Sequence, residues 1–134
     1  LKMEKKISNP DGLASPGGRF SHVVRITSPK TLVFLAGQTS SDSSGNVVGK
    51  DNFAEQADQV FKNIEVALAS ENLTFADVVK VNMYVTDMKY RTQLHEARSR
   101  YIKGVPPAST LVSITALAHP DYMLEIEVVA ASDQ

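Results

Sequence analysis

The spacing of apolar residues along the chain predicts an α+β domain of six strands and two helices. Runs that alternate apolar and polar positions, or that are continuously apolar and rich in β-branched residues, predict strands over about residues 3–8, 20–27, 31–36, 79–85, 109–115 and 122–131. Apolar residues recur at helical intervals from Phe53 to Leu68 and again over about residues 89–103. The predicted order is β-ββ-α-β-α-β-β.

Local signals define the ends and the faces of both helices. Asn52 and Glu55 have the spacing of a capping box at the start of the first helix. Asn72 is placed to end that helix, because asparagine tolerates the left-handed conformation common there. The second helix is predicted to turn its apolar residues inward and its arginines toward solvent: Tyr90, Leu94, Ala97 and Tyr101 inward, and Arg91, Arg98 and Arg100 outward.

The connections predict how the layers are arranged. The turn Ser28-Pro29-Lys30 between the second and third strands predicts a hairpin. Two helices cover only one face of a six-stranded mixed sheet. The uncovered face carries valine and phenylalanine as well as polar residues, so we expect a homo-oligomer in which a closed ring brings the strand faces of neighbours together.

Length and composition predict a single domain over residues 1–134 and exclude several kinds of site. The formal charge of −1 gives no global attraction to nucleic acid or to an anionic membrane. The absence of cysteine excludes disulfides, thiolate metal sites and a cysteine nucleophile. No apolar run approaches the roughly 20 residues of a membrane span, and no leader precedes the body. We therefore expect a cytoplasmic protein without membrane association, in which Leu1 and Lys2 are a remnant of expression.

Two carboxylates on the last predicted strand are the best chemical lead. Because strand side chains alternate between faces, Glu125 and Glu127 project to the same side, roughly 7 Å apart, while Leu124 and Ile126 line the other. A carboxylate in apolar surroundings faces water, meets a cation or donor, or has its pKa raised, and the last condition produces acid–base catalysts. A solvated strand face or an intersubunit salt bridge is the alternative interpretation.

Other catalytic patterns are absent from the sequence. No G-x-S-x-G elbow presents a serine nucleophile. No cluster of His, Asp and Glu has the spacing of metal ligands, so no metal site is predicted. Gly17-Gly18 lacks the following helix and the further glycines of a phosphate-binding loop.

Six segments together resemble the Rid/YjgF family, the reactive-intermediate deaminases also labelled L-PSP endoribonucleases. Each segment alone is a weak signal, but they occur in the family's order over nearly the whole chain. The segments are Leu35-Ala36-Gly37-Gln38, Asn46-Val47-Val48-Gly49, Gln56 to Ile64, Asp77 to Asp87, Pro106 to Val112 and Leu124 to Val128.

The resemblance implies a fold similar to that of small chorismate mutases and a homotrimer whose sheets form a central β-barrel. It implies ligand pockets in the three clefts between subunits. The best-understood members hydrolyse short-lived enamines and imines to 2-keto acids and ammonia, without a metal or cofactor. We therefore expect a small-molecule ligand in an intersubunit cleft, and no cofactor.

Several positions that bind substrate in active members are altered here. The arginine that grips the substrate carboxylate is matched by Ser109, which offers one neutral donor in place of charge-assisted hydrogen bonds worth roughly 1.5–3 kcal/mol each. Phe20 matches a tyrosine, Leu111 a cysteine and Ala36 a serine, and His95 matches an asparagine on the second helix. The chain thus resembles an arginine-lacking branch of the family, and we expect a less cationic and more apolar pocket.

Glu125 matches the glutamate thought to position the attacking water. By this resemblance it is the expected general base, a role worth roughly 10² to 10⁴ in rate. Glu127 is expected to be structural or paired with a basic group. Arg19 adds a cation to the cleft if it turns inward, and a solvated arginine is the alternative. The remaining positions expected around the substrate are Ser109, Thr110, Leu111, Phe20, Ala36, Gly37 and His95.

Three functions are compatible with these features. The first is a hydrolytic deaminase or tautomerase-like enzyme acting on small imines or enamines. The second is a non-catalytic trimer that binds a metabolite or a protein partner in the same clefts. The third, an RNA nuclease, has little support, because His22, His95 and His119 fall on a strand, a helix and a turn.

Overall fold

A computed structural model describes residues 1–134 and confirms an α+β fold with two helices. Single 3₁₀ turns, Phe75–Asp77 and Met88–Tyr90, precede the fourth strand and the second helix. The predicted element order is confirmed, with boundaries moved by a few residues. The elements are β1 (Glu4–Ser8), β2 (Val23–Thr27), β3 (Thr31–Phe34), α1 (Phe53–Ala69), β4 (Val78–Val85), α2 (Arg91–Tyr101), β5 (Ala108–Ser113) and β6 (Leu124–Ser132).

The strands form two sheets rather than the predicted single sheet of six. β1 and β2 form an antiparallel pair, and the second sheet has the order β3-β6-β4-β5. The predicted hairpin of β2 and β3 is wrong, because β3 pairs antiparallel with β6 instead. Ser28, between β2 and β3, has a left-handed φ of 55° and redirects the chain from one sheet to the other. An isolated bridge from Ser21 to Ala108 connects the two sheets at the edge of β5.

Both helices pack on the same face of the four-stranded sheet. The side chain of Asn52 accepts a hydrogen bond from the Glu55 amide at the start of α1, and Asn72 has the expected left-handed φ, 59°. Neither helix has the length and apolar character that crossing a membrane requires. The helices and alternate residues of β4 and β6 form one buried core, which includes Phe53, Ala57, Val60, Phe61, Ile64, Leu68, Val81, Met83, Val85, Leu94, Ala97, Leu124, Ile126 and Val128.

The opposite face of the four-stranded sheet, here called the open face, has no helix over it. Residues that are directly paired point to the same side, so Tyr84 and its partner Glu125 both lie on this face. Leu32 and Phe34 lie there too, with exposed fractions of 51% and 71%. The expectation of apolar residues on an uncovered face is therefore confirmed, and such a patch is typical of an interface.

Candidate functional site

The predicted site residues fall into two groups on opposite faces of the four-stranded sheet. Ser109 and Leu111 on β5 point to the face that carries the helices, because they pair with the core residues of β4. Thr110 and Glu125 point to the open face. Within one chain, the sheet therefore separates Ser109 from Glu125.

The first group lines a cavity of about 340 Å³ between α2, β5 and the loop before β2. It brings together five of the residues predicted to bind substrate. We call it the arginine cavity. Its lining is Arg19, Phe20, Met83, Met88, Arg91, His95, Arg98, Ser109 and Leu111.

This cavity is cationic within one chain, in contrast to the less cationic and more apolar intersubunit pocket that Ser109 leads us to expect. Ser109 stands where the resemblance leads us to expect an arginine, but three guanidiniums from elsewhere in the chain line the same space. Arg19 is one of them: it lines the cavity although it is an exposed residue. The prediction that Arg98 faces solvent is wrong, because its side chain is half-buried in the cavity wall.

The spacing of residues in the sequence identifies Arg91 and Arg98, the two cavity arginines that were not predicted to lie near the substrate. Arg91, His95 and Arg98 stand at positions i, i+4 and i+7 of α2, so they share one helix face. Arg91 is exposed, as predicted, but it also lines the cavity beside the half-buried Arg98. His95, which the family resemblance leads us to expect near the substrate, lies on this same stripe and lines the cavity.

The loop before β2 holds Arg19 and Phe20 over β5. Two glycines before Arg19 have φ values of 63° and 76°, a left-handed backbone that other residues rarely adopt. Ser21 then fastens the loop to the start of β5: its Oγ donates to the Pro106 carbonyl at 2.6 Å and its amide to the Pro107 carbonyl at 3.0 Å. These bonds fix the part of the loop that carries the Arg19 guanidinium and the Phe20 ring.

His95 contributes a neutral polar group to the cavity. Both ring nitrogens are buried and have no hydrogen-bond partner. Burial, followed by the charges of Arg98, Arg19 and Arg91, lowers the pKa of His95 to about 4. The ring is therefore uncharged at pH 7 and offers one N–H donor and one acceptor nitrogen to a ligand.

The guanidiniums of the arginine cavity lack acidic partners. Burial, and after it the charge of Arg19, lowers the pKa of Arg98, although not enough to remove its charge near pH 7. No arginine takes part in a salt bridge or donates a side-chain hydrogen bond in this structure. The chain's salt bridges are Lys62–Asp58, Lys89–Asp87 and His119–Asp121.

The second group surrounds Glu125 on the open face. A Cβ atom built on Gly37 would lie only 1.9 Å from Glu125 Oε2, so the missing side chain is what allows the carboxylate to rest against this backbone. Hydrogen bonds between the main chains of Gln38 and Ile126, at 2.8 and 3.1 Å, hold the segment beside β6. Ala36 is the exposed neighbour of Gly37 on this side.

The structure distinguishes the two glutamates. Glu127 Oε1 accepts hydrogen bonds from the Tyr84 hydroxyl at 2.7 Å and from Asn82 Nδ2 at 3.1 Å. The first of these bonds is the main cause of the raised pKa of Tyr84. Glu127 is thus held by neutral donors, whereas Glu125 has neither a hydrogen bond nor a salt bridge within the chain. Glu125 remains available to water or a ligand.

Thr110 and the remaining histidines have local partners. Lys80 Nζ donates to the Thr110 hydroxyl at 3.1 Å. His22 Nε2 donates to the Ala14 carbonyl at 2.7 Å, and His119 lies beside Asp121. Only His95 among the three histidines lines the arginine cavity, so no histidine pair for RNA cleavage is present there.

Comparisons with known proteins give the same family along the whole chain. A family model described as Endoribonuclease L-PSP matches residues 12–132. Protein DfrA of Myxococcus xanthus is 29% identical over 131 residues, which cover 98% of each chain. A RutC family protein of Aquifex aeolicus is 33% identical over 118 residues, covering 86% of this chain and 90% of that protein.

Solved structures of similar proteins share the fold. The Rid family protein YyfB of Yersinia pestis, described as being of unknown function, has a TM-score of 0.86 at 27% identity and covers 95% of this chain and 98% of its own. RidA of an Antarctic Psychrobacter has a TM-score of 0.70 at 27% identity, covering 93% and 97%. The chain therefore belongs to the Rid/YjgF family, the family whose model is described as Endoribonuclease L-PSP.

Proposed function

We propose that this protein is a cytoplasmic homotrimer that hydrolyses small, anionic enamines and imines to keto compounds and ammonia. The observation that supports this most is the arginine cavity. Ser109 stands where active relatives are expected to carry an arginine, yet three other guanidiniums line the cavity into which Ser109 points. These arginines can bind the substrate carboxylate in place of the residue at position 109, since guanidinium groups bind carboxylates through charge-assisted hydrogen bonds.

A ring of subunits supplies the part of the site that one chain lacks. Association through the open face removes Phe34 and Leu32 from water, which is favourable by roughly 25 cal/mol for each Å² buried. Glu125 lies on that same face and the arginine cavity lies on the other side of the sheet. In the proposed trimer, Glu125 of one subunit borders the arginine cavity of its neighbour, and the two groups form one cleft.

The proposed chemistry needs only proton transfers. An enamine tautomerises to its imine, and water then adds to the carbon of the C=N bond. Glu125 accepts a proton from the attacking water and returns it to the nitrogen, which gives the carbinolamine. Glu125 then carries the hydroxyl proton to the amine nitrogen, so that the C=O bond forms as the C–N bond breaks and ammonia leaves. One imine and one water thus give one ketone and one ammonia, and the carboxylate is regenerated. The guanidiniums hold the substrate carboxylate, and Phe20 forms an apolar wall.

A non-catalytic trimer that binds an anionic metabolite is the second candidate. It is favoured by a specific observation: the arginine cavity is complete within one chain, whereas the proposed base lies outside it. In that case Glu125 is an interface residue, and the cleft binds the metabolite without converting it.

Ammonia release from 2-imino acids, generated in place by an amino-acid oxidase, tests the proposal. We expect the wild-type protein to accelerate hydrolysis and Glu125→Gln to reduce this acceleration by roughly 100-fold or more while ligand affinity stays unchanged. Glu65→Gln, an exposed acid on α1, is the matched control and should retain full activity. Absence of any acceleration by the wild-type protein would instead support the binding function.

A further inference from the structure

The charge of the arginine cavity is unbalanced within the chain. Arg19, Arg91 and Arg98 line one small space without an acidic partner within salt-bridge distance. The nearest acid along α2, Glu96, lines an adjoining depression together with Arg19, His95 and Arg98, but it forms no salt bridge with either arginine. Arg98 is half-buried, whereas Arg19 and Arg91 are exposed. Partial burial of the Arg98 charge beside other cations raises the free energy of the folded protein, and an anion bound there would compensate it. Such an arrangement is expected where a ligand supplies the anion.

The amount of charge indicates how anionic that ligand is. Three guanidiniums contribute about three positive charges at pH 7, and the neutral ring of His95 adds none. A single carboxylate would offset only one of these charges. A ligand with two anionic groups matches the cavity better.

The backbone positions of the two helix arginines favour two separated anionic groups over one. Arg91 and Arg98 stand two turns apart on α2, roughly 10 Å along the helix axis. Arg19 comes from the loop before β2. His95 lies between the two helix arginines along α2 and offers one N–H donor to the cavity.

We propose that the arginine cavity binds a small dicarboxylate, so that the imine or enamine substrate carries a second carboxylate beyond the one beside its C=N carbon. For the reaction, this inference rests on the proposed hydrolysis; for binding, it stands on the cavity alone. Cavity size agrees with it, because about 340 Å³ is within the range of pockets that enclose small metabolites.

Calorimetric titration of the full chain at pH 7 and low salt tests the inference with glutarate, butyrate and inorganic phosphate. We expect glutarate to bind roughly tenfold or more tightly than butyrate, since one additional charge-assisted contact has that effect. Arg98→Gln should reduce glutarate affinity by at least about tenfold, and the difference between the affinities for glutarate and butyrate should become smaller. Arg100→Gln, an exposed arginine on the same helix, is the control and should change nothing.

Binding of an anion in the arginine cavity can also be followed spectroscopically at the His95 ring. Glutarate binding should move the midpoint of the His95 ring titration upward, because the anions offset the neighbouring guanidiniums. Equal affinity for butyrate and glutarate, or an Arg98→Gln variant that binds like the wild type, would overturn the inference. Phosphate that outcompetes both carboxylates would also overturn it, in favour of a single phosphate group.

The two proposals fail separately. If glutarate binds as expected but no imine is hydrolysed faster than in buffer, the dicarboxylate site stands and the hydrolase function is refuted. If monocarboxylate imines are hydrolysed through Glu125 and glutarate shows no preference, the hydrolase stands and the dicarboxylate site is refuted.

Discussion

Acidification should destabilise this protein through His95. The ordinary pKa of a histidine is 6.5, and burial among guanidiniums lowers that of His95 to about 4 in the folded chain. Between these values the unfolded chain binds a proton at this ring and the folded chain does not. The stability associated with neutral His95 is therefore fully present above pH 6.5 and is lost progressively as the pH falls toward 4.

The size of the effect follows from the difference between the two pKa values. At about 1.36 kcal/mol per pKa unit, the full difference corresponds to roughly 3 kcal/mol. Because the ring is only half-buried, screening by solvent reduces the expected loss to about 1–2 kcal/mol. Arg91, Arg98 and Arg19 surround the ring, so added salt or a bound anion should reduce the loss further.

Urea unfolding at pH 7 and at pH 4.5 measures this loss. Acidic side chains also titrate in this range, so the informative quantity is the difference between the wild type and His95→Gln. We expect the wild type to lose about 1–2 kcal/mol more than the variant over this interval. An identical pH dependence of the two proteins would show that His95 does not titrate as the cavity geometry requires.

Three further perturbations address other parts of the molecule. Gly37→Ala should displace the Glu125 carboxylate and reduce hydrolysis by roughly 100-fold. The thermal midpoint should change by only a few degrees, because the flexible Glu125 side chain can move aside. Unchanged activity would show that the position of the Glu125 carboxylate against Gly37 does not matter for hydrolysis. Phe34→Glu should yield monomers by sedimentation, whereas Val66→Glu, at an equally exposed position on α1, should leave the assembly intact; a persistent trimer would exclude the open face as the interface. Gln56→Leu should cost about 2–4 kcal/mol in urea unfolding, because this fully buried amide bonds three main-chain groups; a loss near zero would refute that role.

Periodicity predicted the elements well because it reports local burial. The helical spacing from Phe53 and the alternation around Met83 each reflect one buried face, which any packing of the domain must preserve. Pairing between strands is not local. The short turn at Ser28 suggested a hairpin, but the partner of β3 is a strand nearly a hundred residues later, and no periodic pattern encodes that choice.

The candidate site was predictable in part for the same reason. Glu125, Ser109, Phe20 and His95 were found by motif, and the structure places all but Glu125 in one cavity. Arg98 was missed because charged residues on an exposed helix are ordinarily solvated. Its spacing from His95 was visible in the sequence, but the loop that closes the cavity over it was not.

In the proposed trimer, the arginine cavity of one subunit and Glu125 of its neighbour form one catalytic cleft. Subunit mixing tests this most directly, since Glu125→Gln and Arg98→Gln each damage a different half of the cleft. Equal amounts of the two variants are dissociated, reassembled, and checked for mixed trimers by native mass spectrometry. With shared sites, about a quarter of the clefts regain both intact halves, and a matching share of wild-type activity should return. Mixed trimers whose activity stays at the average of the two variants would show that the cleft is not shared between subunits.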